Sequence, residues 1–572
     1  MNGMRVSMCW RAARAVGICC LAVGMLGAGP VPRKRLIGHG WDLLGVSPVE
    51  VARHADALAK TGLDGISLSL RKKLPDGRRL NFSSILTDPP WTKEAFADEI
   101  AALRTLHGKP GLSHCYLSAF WTPAQRLAWN DDAAWARAIG NMKVLAEIAQ
   151  ETRLEGLLID PEDYSETKQF RHQAADGDFE STCRLARKRG NEFIDAVTSA
   201  YPRAKLLFFW LLSLSYQDFS RMENPQHLLK ARHDLWPAFV NGMLDRLPPT
   251  MKLIDGDEHA YRYEASRRDF YASAWRQKQG SLPVVDEKNR ERFLLNVCVG
   301  SGHYLDNYIN PTNSHWYLGP VDGSRLNHFE QNIRQAVACA DDTVWVYGEK
   351  CAWIRWRGVA NARWDGDKKT YQTWEEALPG ISSLLENVRD PVGWMKRKLE
   401  EKERGGGLVD LTGNSACVYH ETLAPGQFHK GKVPKPFATW QWQDEKNLQG
   451  TFGVDTGTGM GDSSSLCMKG SGNGCFVYSS PSVKPGAVFL VRFWTKGSEP
   501  SASVYWKTNG AWNWSIPGCF PVIGDAGADG WRQGELVIQV PAKADSFGLL
   551  LGSKQSAGEK IWYDRVSVCP LD

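Results

Sequence analysis

The chain has 572 residues, 43% of them hydrophobic and 23% charged, with a net charge of +5. At roughly 100–200 residues per domain, that length allows about three domains, or one large barrel plus a smaller module. The composition excludes a disordered or collagen-like chain. No basic tract stands out, so no nucleic-acid partner is expected.

The N-terminus reads as an export signal over residues 1–29. Arg5, Arg11 and Arg14 precede an apolar run from Ala15 to Ala28, and small residues close it at Gly27, Ala28 and Gly29. The run is short for a membrane span, which needs about 20 apolar residues. The expectation is a secreted or periplasmic protein with no membrane contact beyond the signal, though surface anchoring stays open. Removing the leader takes Cys9, Cys19 and Cys20 from the 13 cysteines and leaves an even set. Disulfides are therefore expected in an oxidising compartment. No CxxC is present to suggest a zinc or thioredoxin-type site.

From about Leu36 to Leu399, short apolar runs alternate with helical patterns, which argues for βα units around a parallel sheet. The strands are expected at Arg35–His39, Gly65–Leu70, Gly111–Ser118, Gly156–Asp160, Lys205–Leu211, Met251–Asp255, Phe293–Val299 and Thr343–Tyr347. Ser47, Pro48 and Glu50 give the first helix a cap, a first-position proline and an acidic first turn. A second helix is expected from about Trp91 to Leu106, and a charged one from about Val392 to Glu403. Eight strands over 30–401 fit an α/β fold, a (β/α)8 TIM barrel with enlarged loops. A doubly wound sheet is the alternative, but no glycine-rich phosphate loop follows the first strand.

Residues 402–408 read as a charged helix end and a glycine linker. Beyond them, 409–572 alternate with period two and are rich in Gly, Ser, Thr and Trp. That is the pattern of an all-β sandwich. Trp440, Trp442, Trp506, Trp512 and Trp514 fall within it.

In a barrel, catalytic groups sit at the C-terminal ends of strands. Asp42 follows the first strand, and Asp160 and Glu162 the fourth. Asp255, Asp257 and Glu258 follow the sixth, Asp306 the seventh and Glu349 the eighth. Converging carboxylates suit glycoside hydrolysis, in which one acid protonates the leaving oxygen and a second carboxylate acts as nucleophile or base. Glu162 is the expected acid, Asp160 its support, and Glu349 or Glu258 the partner. The 24 Trp are the compositional anomaly, and flat rings stack on the apolar faces of sugars. Trp41, Trp121, Trp210, Trp353 and Trp356 are the expected stacking residues near strand ends, with His39, His259, Tyr261, His303, Asp42 and Asp257 as polar contacts to substrate. A metal at Asp255, Asp257, Glu258 and His259 is the competing reading, but neither an EF-hand loop nor HExxH is present. The absence of GxSxG and Walker patterns argues against a serine esterase of the α/β-hydrolase type and against nucleotide hydrolysis.

Gly156-x-x-x-Asp160-x-Glu162 resembles the fourth-strand signature of chitinase-like barrels, D-G-x-D-x-D-x-E, with Glu155 and Leu158 in place of the first two acids. The resemblance implies that Glu162 is the acid and that Asp160 assists an acetamido group. The signal, barrel and C-terminal sandwich together resemble a secreted bacterial glycoside hydrolase. The closing strand Lys560–Val568 resembles that of jelly-roll carbohydrate-binding modules, which implies a carbohydrate ligand and a structural Ca²⁺ near Asp564. The alternatives are a glycan-binding protein on a degenerate barrel, or a lyase or esterase with His303 or Tyr261 as base.

Overall fold

The computed structural model describes residues 33–571 except 124, 214–224, 322, 360–370, 406, 442–449, 471–473, 542 and 554–558. The expected export signal and Trp442 lie outside the described residues. The chain divides into two compact units, the first ending at Asp390 and the second beginning at Pro391.

The first unit is built on nine parallel strands: β1 (Arg35–Gly40), β2 (Gly65–Leu68), β3 (Tyr116–Phe120), β4 (Gly156–Asp160), β5 (Lys205–Phe208), β6 (Lys252–Asp255), β7 (Val297–Val299), β8 (Ser301–Tyr304) and β9 (Thr343–Gly348). Their order, β8-β9-β1-β2-β3-β4-β5-β6-β7, makes a nearly closed barrel-like sheet. The two edge strands are consecutive in the chain, and only Gly300 separates them. Gly300 donates to the Asp255 carbonyl at 2.9 Å. A Cβ there would lie 2.7 Å from that oxygen, so only glycine fits the close approach.

Helices follow most strands and cover the outside. After a single turn at Trp41–Leu44, the helix Pro48–Arg53 has the expected start: Ser47 and Glu50 form a reciprocal capping box. The expected Trp91–Leu106 helix forms over a shorter stretch, a 3₁₀ turn at Glu94–Phe96 and an α-helix at Ala97–Arg104. Strand alternation divides the apolar residues into two layers. Leu36, Leu117, Leu157, Leu206, Leu253 and Val344 pack outward against helices. Ile37, Tyr116, Leu158, Leu207, Ile254 and Trp345 fill the inside. Trp345 stacks on Phe209 with centroids 4.4 Å apart, and its indole N–H donates to the Gly256 carbonyl at 2.8 Å.

The second unit has two antiparallel sheets, of seven and five strands. Its core includes Phe476, Val491, Phe493, Trp506, Phe547, Tyr563 and Val568. The helix Pro391–Arg404 belongs here rather than to the first unit. Trp394, Met395 and Leu399 pack with Val488, Leu490, Cys569 and Leu571. The expected disulfides are absent: all ten cysteines from Cys115 to Cys569 are free thiols.

Candidate active site

Three glutamates meet in one cleft of about 650 Å³: Glu162 after β4, Glu258 after β6 and Glu349 after β9. All three follow the C-terminal ends of strands, where βα loops of a parallel barrel-like sheet converge. Tyr164, His259, Tyr261, Arg262, Tyr304, Trp316 and Tyr347 complete the lining.

Each glutamate is held by specific neighbours. Asp160, buried at the end of β4, accepts the Glu162 backbone N–H on Oδ1 at 2.8 Å. The Tyr164 hydroxyl donates to Glu162 Oε2 at 2.5 Å. Asp306 accepts the backbone N–H groups of Glu349 and Lys350, at 2.8 and 3.1 Å. Tyr347 donates to Glu349 Oε1 at 2.6 Å, and Tyr304 donates to Oε2 at 3.0 Å. Glu258 opens a 3₁₀ turn just after Asp257, whose φ of 39° and ψ of 72° put the backbone in the left-handed region. Asp is among the side chains that tolerate that conformation. The Glu258 backbone N–H donates to the Phe209 carbonyl at 3.1 Å.

Burial and crowding set the protonation states. Burial pushes the Glu258 carboxyl up to about 8, and the negative charges of Glu162 and Asp160 add to that. Burial also raises Glu162, helped by the charge of Glu349 and opposed by the Tyr164 hydrogen bond. Asp160 is pushed well above the usual carboxylate range, by burial first and Glu162 second. Burial lowers His259.

Several residues expected at the site are committed elsewhere. His39 lies on the inner face against Phe209, Trp345 and Tyr347. Its Nδ1 pairs with Ser67 Oγ at 2.8 Å, and burial pulls it down to about 3, so it is neutral. Asp42 is buried. It accepts the Trp353 backbone N–H at 2.8 Å and the Trp356 indole N–H at 3.1 Å. Both tryptophans thus anchor the segment after β9 and are buried themselves. Trp121 packs on Phe193 and Phe239 in the helical layer. His303 points outward onto Phe270 and Phe329, because Tyr304, its neighbour on β8, takes the inward position. Asp257 is buried and accepts from Ser273, Tyr263 and Gln277. Asp255 holds the Leu212 and Ser213 backbone N–H groups, both at 2.9 Å. The Asp255–His259 run is therefore spread over different partners. Among the described residues no group of three or more His, Cys, Asp or Glu is arranged to hold a metal ion. Asp564 spends its oxygens on the Met460 and Arg565 backbone N–H groups, at 2.6 and 2.7 Å. Trp41, 36% exposed just after β1, is not part of the lining.

The residues missed from sequence are Tyr164, Arg262, Tyr304, Trp316 and Tyr347. Tyr347 sits two residues before Glu349, so strand alternation could have paired them. The Arg262 guanidinium lies 4.3 Å from the Trp316 ring centroid. Those two come from separate loops, and no local pattern joins them.

No family model and no curated protein matches this chain. Among solved structures, the enzymatically active domain of bacteriophage CBA120 tailspike protein 4 is 18% identical, covering 24% of this chain and 19% of that one, with a TM-score of 0.20. The CBM22-1–GH10 modules of a Clostridium thermocellum endo-1,4-β-D-xylanase are 11% identical over 23% of this chain and 26% of that one, with a TM-score of 0.18. A CBM4 structure is 15% identical over 27% of this chain and 97% of that one, with a TM-score of 0.19. The match thus spans about a fifth of the tailspike chain and a quarter of the xylanase chain.

Proposed function

We propose that this protein is a glycoside hydrolase acting on a polysaccharide or glycan, with a (β/α)8 barrel whose seventh strand is interrupted at Gly300. The observation that carries the reading is the meeting of Glu162, Glu258 and Glu349 in one cleft lined by tyrosines and Trp316. Glycosidic cleavage requires a protonated carboxyl beside the leaving oxygen and a second carboxylate opposite it. Glu258, raised to about 8, holds its proton at neutral pH and is the donor. Glu349, oriented by two tyrosine hydroxyls, is the nucleophile or base. Glu162 supplies negative charge that keeps the Glu258 proton in place. The donor role thus passes from Glu162, favoured by sequence spacing, to Glu258, which is pushed further. Trp316 supplies an aromatic surface for a sugar unit, and Arg262 presents hydrogen-bond donors. The export signal adds a secreted or periplasmic location to the proposal.

The second unit is proposed to bind carbohydrate. Trp512 packs against Gly548 of the five-stranded sheet, where a Cβ would be 2.3 Å from its ring. Trp514, 58% exposed, stacks beside it at 5.6 Å, and Tyr505 meets Trp514 at 5.0 Å.

The test is sugar release from a glycan panel by wild type and by the Glu162→Gln, Glu258→Gln and Glu349→Gln variants. The donor variant keeps activity on aryl glycosides with good leaving groups, because those need no proton. The nucleophile variant does not. Retention by Glu162→Gln alone would return the donor role to Glu162. Binding without release by wild type would move the chain to the glycan-binding class.

A further inference from the structure

The loop Pro161–Tyr164 has two sides. Glu162 and Tyr164 line the three-glutamate cleft. Pro161 and Asp163 line a second cleft of about 510 Å³, which Trp210 and the basic residues Lys168, Arg171, Arg232 and His233 share. Pro161 is the first residue after β4 and Trp210 the second after β5, so this cleft adjoins the C-terminal ends of those two strands.

The charge in this second cleft is unbalanced. Two acids border it, and both are occupied. Asp163 accepts the Ser165 backbone N–H and hydroxyl on Oδ1, at 3.0 and 2.5 Å, and the Gln169 N–H on Oδ2 at 2.7 Å. Asp234 accepts the Trp236 N–H at 2.9 Å, at the start of the helix Trp236–Arg246. Lys168 and Arg171 have no ion-pair partner among the described residues. Their side chains are exposed, but the backbone beneath them is fixed. Arg126 donates to the carbonyls of Lys168 and Arg171, both at 3.2 Å, and is itself held bidentate by Asp176 at 2.8 and 2.6 Å. Half-buried Trp210 supplies a ring face. A fixed frame carrying cations beside an indole suits a sugar ring bearing an anion. The neighbouring cleft holds Glu162 and Glu349, whose negative charge repels such a ring, so the two clefts sort a mixed chain by charge.

We propose that the second cleft is a subsite for an anionic sugar unit, carboxylated or sulfated, adjoining the cleavage site. The proposal rests on the glycoside-hydrolase reading for its substrate but not for its test. Binding is measured by calorimetry on the full chain, with oligogalacturonate, a sulfated carrageenan oligosaccharide and neutral xylohexaose, at low and high NaCl. Wild type is compared with the Lys168→Ala/Arg171→Ala double variant, whose exposed positions leave thermal stability unchanged.

The expected result is about tenfold tighter binding of one acidic oligosaccharide than of the neutral one, weakened by salt and lost in the double variant. The acidic arm that binds names the anion. Equal binding of all three, or a preference that survives in the double variant, overturns the proposal. Hydrolysis is assayed separately, so a chain that binds acidic sugars and cleaves nothing would sink the enzyme reading and leave the subsite standing.

Discussion

Asp306 accepts the backbone N–H of Glu349 at 2.8 Å, across 43 residues of chain. Asp160 does the same for Glu162, also at 2.8 Å. In each case a buried aspartate holds the main chain of a cleft glutamate and leaves that glutamate's side chain to the cleft. Acids at strand ends therefore divide into two kinds: aspartates that fix loops and glutamates that face the site.

That division gives a graded expectation for Asp306. Asp306→Ala leaves the part-buried Glu349 and Lys350 amides without their acceptor, at a cost of about 1–2 kcal/mol. For a unit of this size that lowers the melting temperature by about 1–3 °C. It also displaces Glu349, so activity falls more than tenfold. Asp306→Asn keeps one acceptor oxygen and lies between. Equal loss of activity in both variants would show that the carboxylate charge, not backbone support, is what matters.

The pH profile should follow Glu258. A donor raised to about 8 is protonated at pH 7, so activity declines as pH rises through about 8. The stability sign is also fixed. The folded chain binds this proton more tightly than the unfolded chain, whose glutamate titrates near 4.5. Between those two values folding takes up a proton, so stability falls as pH rises. Glu258→Gln removes the penalty. Its melting temperature should exceed that of wild type at pH 9 by a few degrees and match it at pH 4, by calorimetry. A variant less stable at both pH values would contradict the placement of the proton.

Tyr304 and Tyr347 donate to different oxygens of Glu349. Losing either leaves the other in place, so each single change to Phe should cost about tenfold in kcat. The double change should cost more than the product of the two, because the carboxylate then has neither donor. KM should move little, since the hydroxyls touch the glutamate rather than a distant sugar. A purely multiplicative pair would show that the two tyrosines act independently of each other, against the shared support of Glu349.

Burial pushes the thiols of Cys115, Cys351, Cys467 and Cys475 up to about 12. These are inert, reduced cysteines. Reductant should leave the melting temperature unchanged. Thiol titration of the folded chain should count far fewer groups than titration in denaturant. A drop of several degrees with reductant would instead reveal a disulfide.

The strand positions were legible in the sequence because each is a short apolar run between turn signals. Gly156–Asp160 agrees to the residue, and most others to within a few. The break at Gly300 was not legible, because it depends on a close approach to the Asp255 carbonyl, a contact across the sheet. The glutamates of the cleft were found because each closes or follows such a run. His259 and Tyr261 do line the cleft, whereas the His303 expectation went astray for a physical reason. Alternation says that His303 and Tyr304 face opposite ways, but not which of them faces in. That choice is made by packing: Tyr304 joins Tyr261 and Tyr347 inside, and His303 joins Phe270 outside. Asp42 was misread for a related reason, since its partners Trp353 and Trp356 lie more than 300 residues away.

The aromatic group on the second unit gives the last expectation. Trp506 is in the core, whereas Tyr505, next to it on the same strand, meets exposed Trp514. Trp512 is fixed between Gly548 and the Lys507 ammonium, which lies 4.5 Å from its ring centroid and donates to Ser479 Oγ at 2.8 Å. Trp512 is therefore spent on protein contacts, and Trp514, 58% exposed, keeps the free area. Trp514→Ala removes little from the core and should leave the melting temperature within about 1 °C of wild type. Its retention on an insoluble polysaccharide should fall about tenfold, since stacking by one indole contributes roughly 1–2 kcal/mol. Trp506→Ala should instead cost about 3–5 kcal/mol of stability. Unchanged retention in Trp514→Ala, with folding intact, would remove the platform as a sugar site.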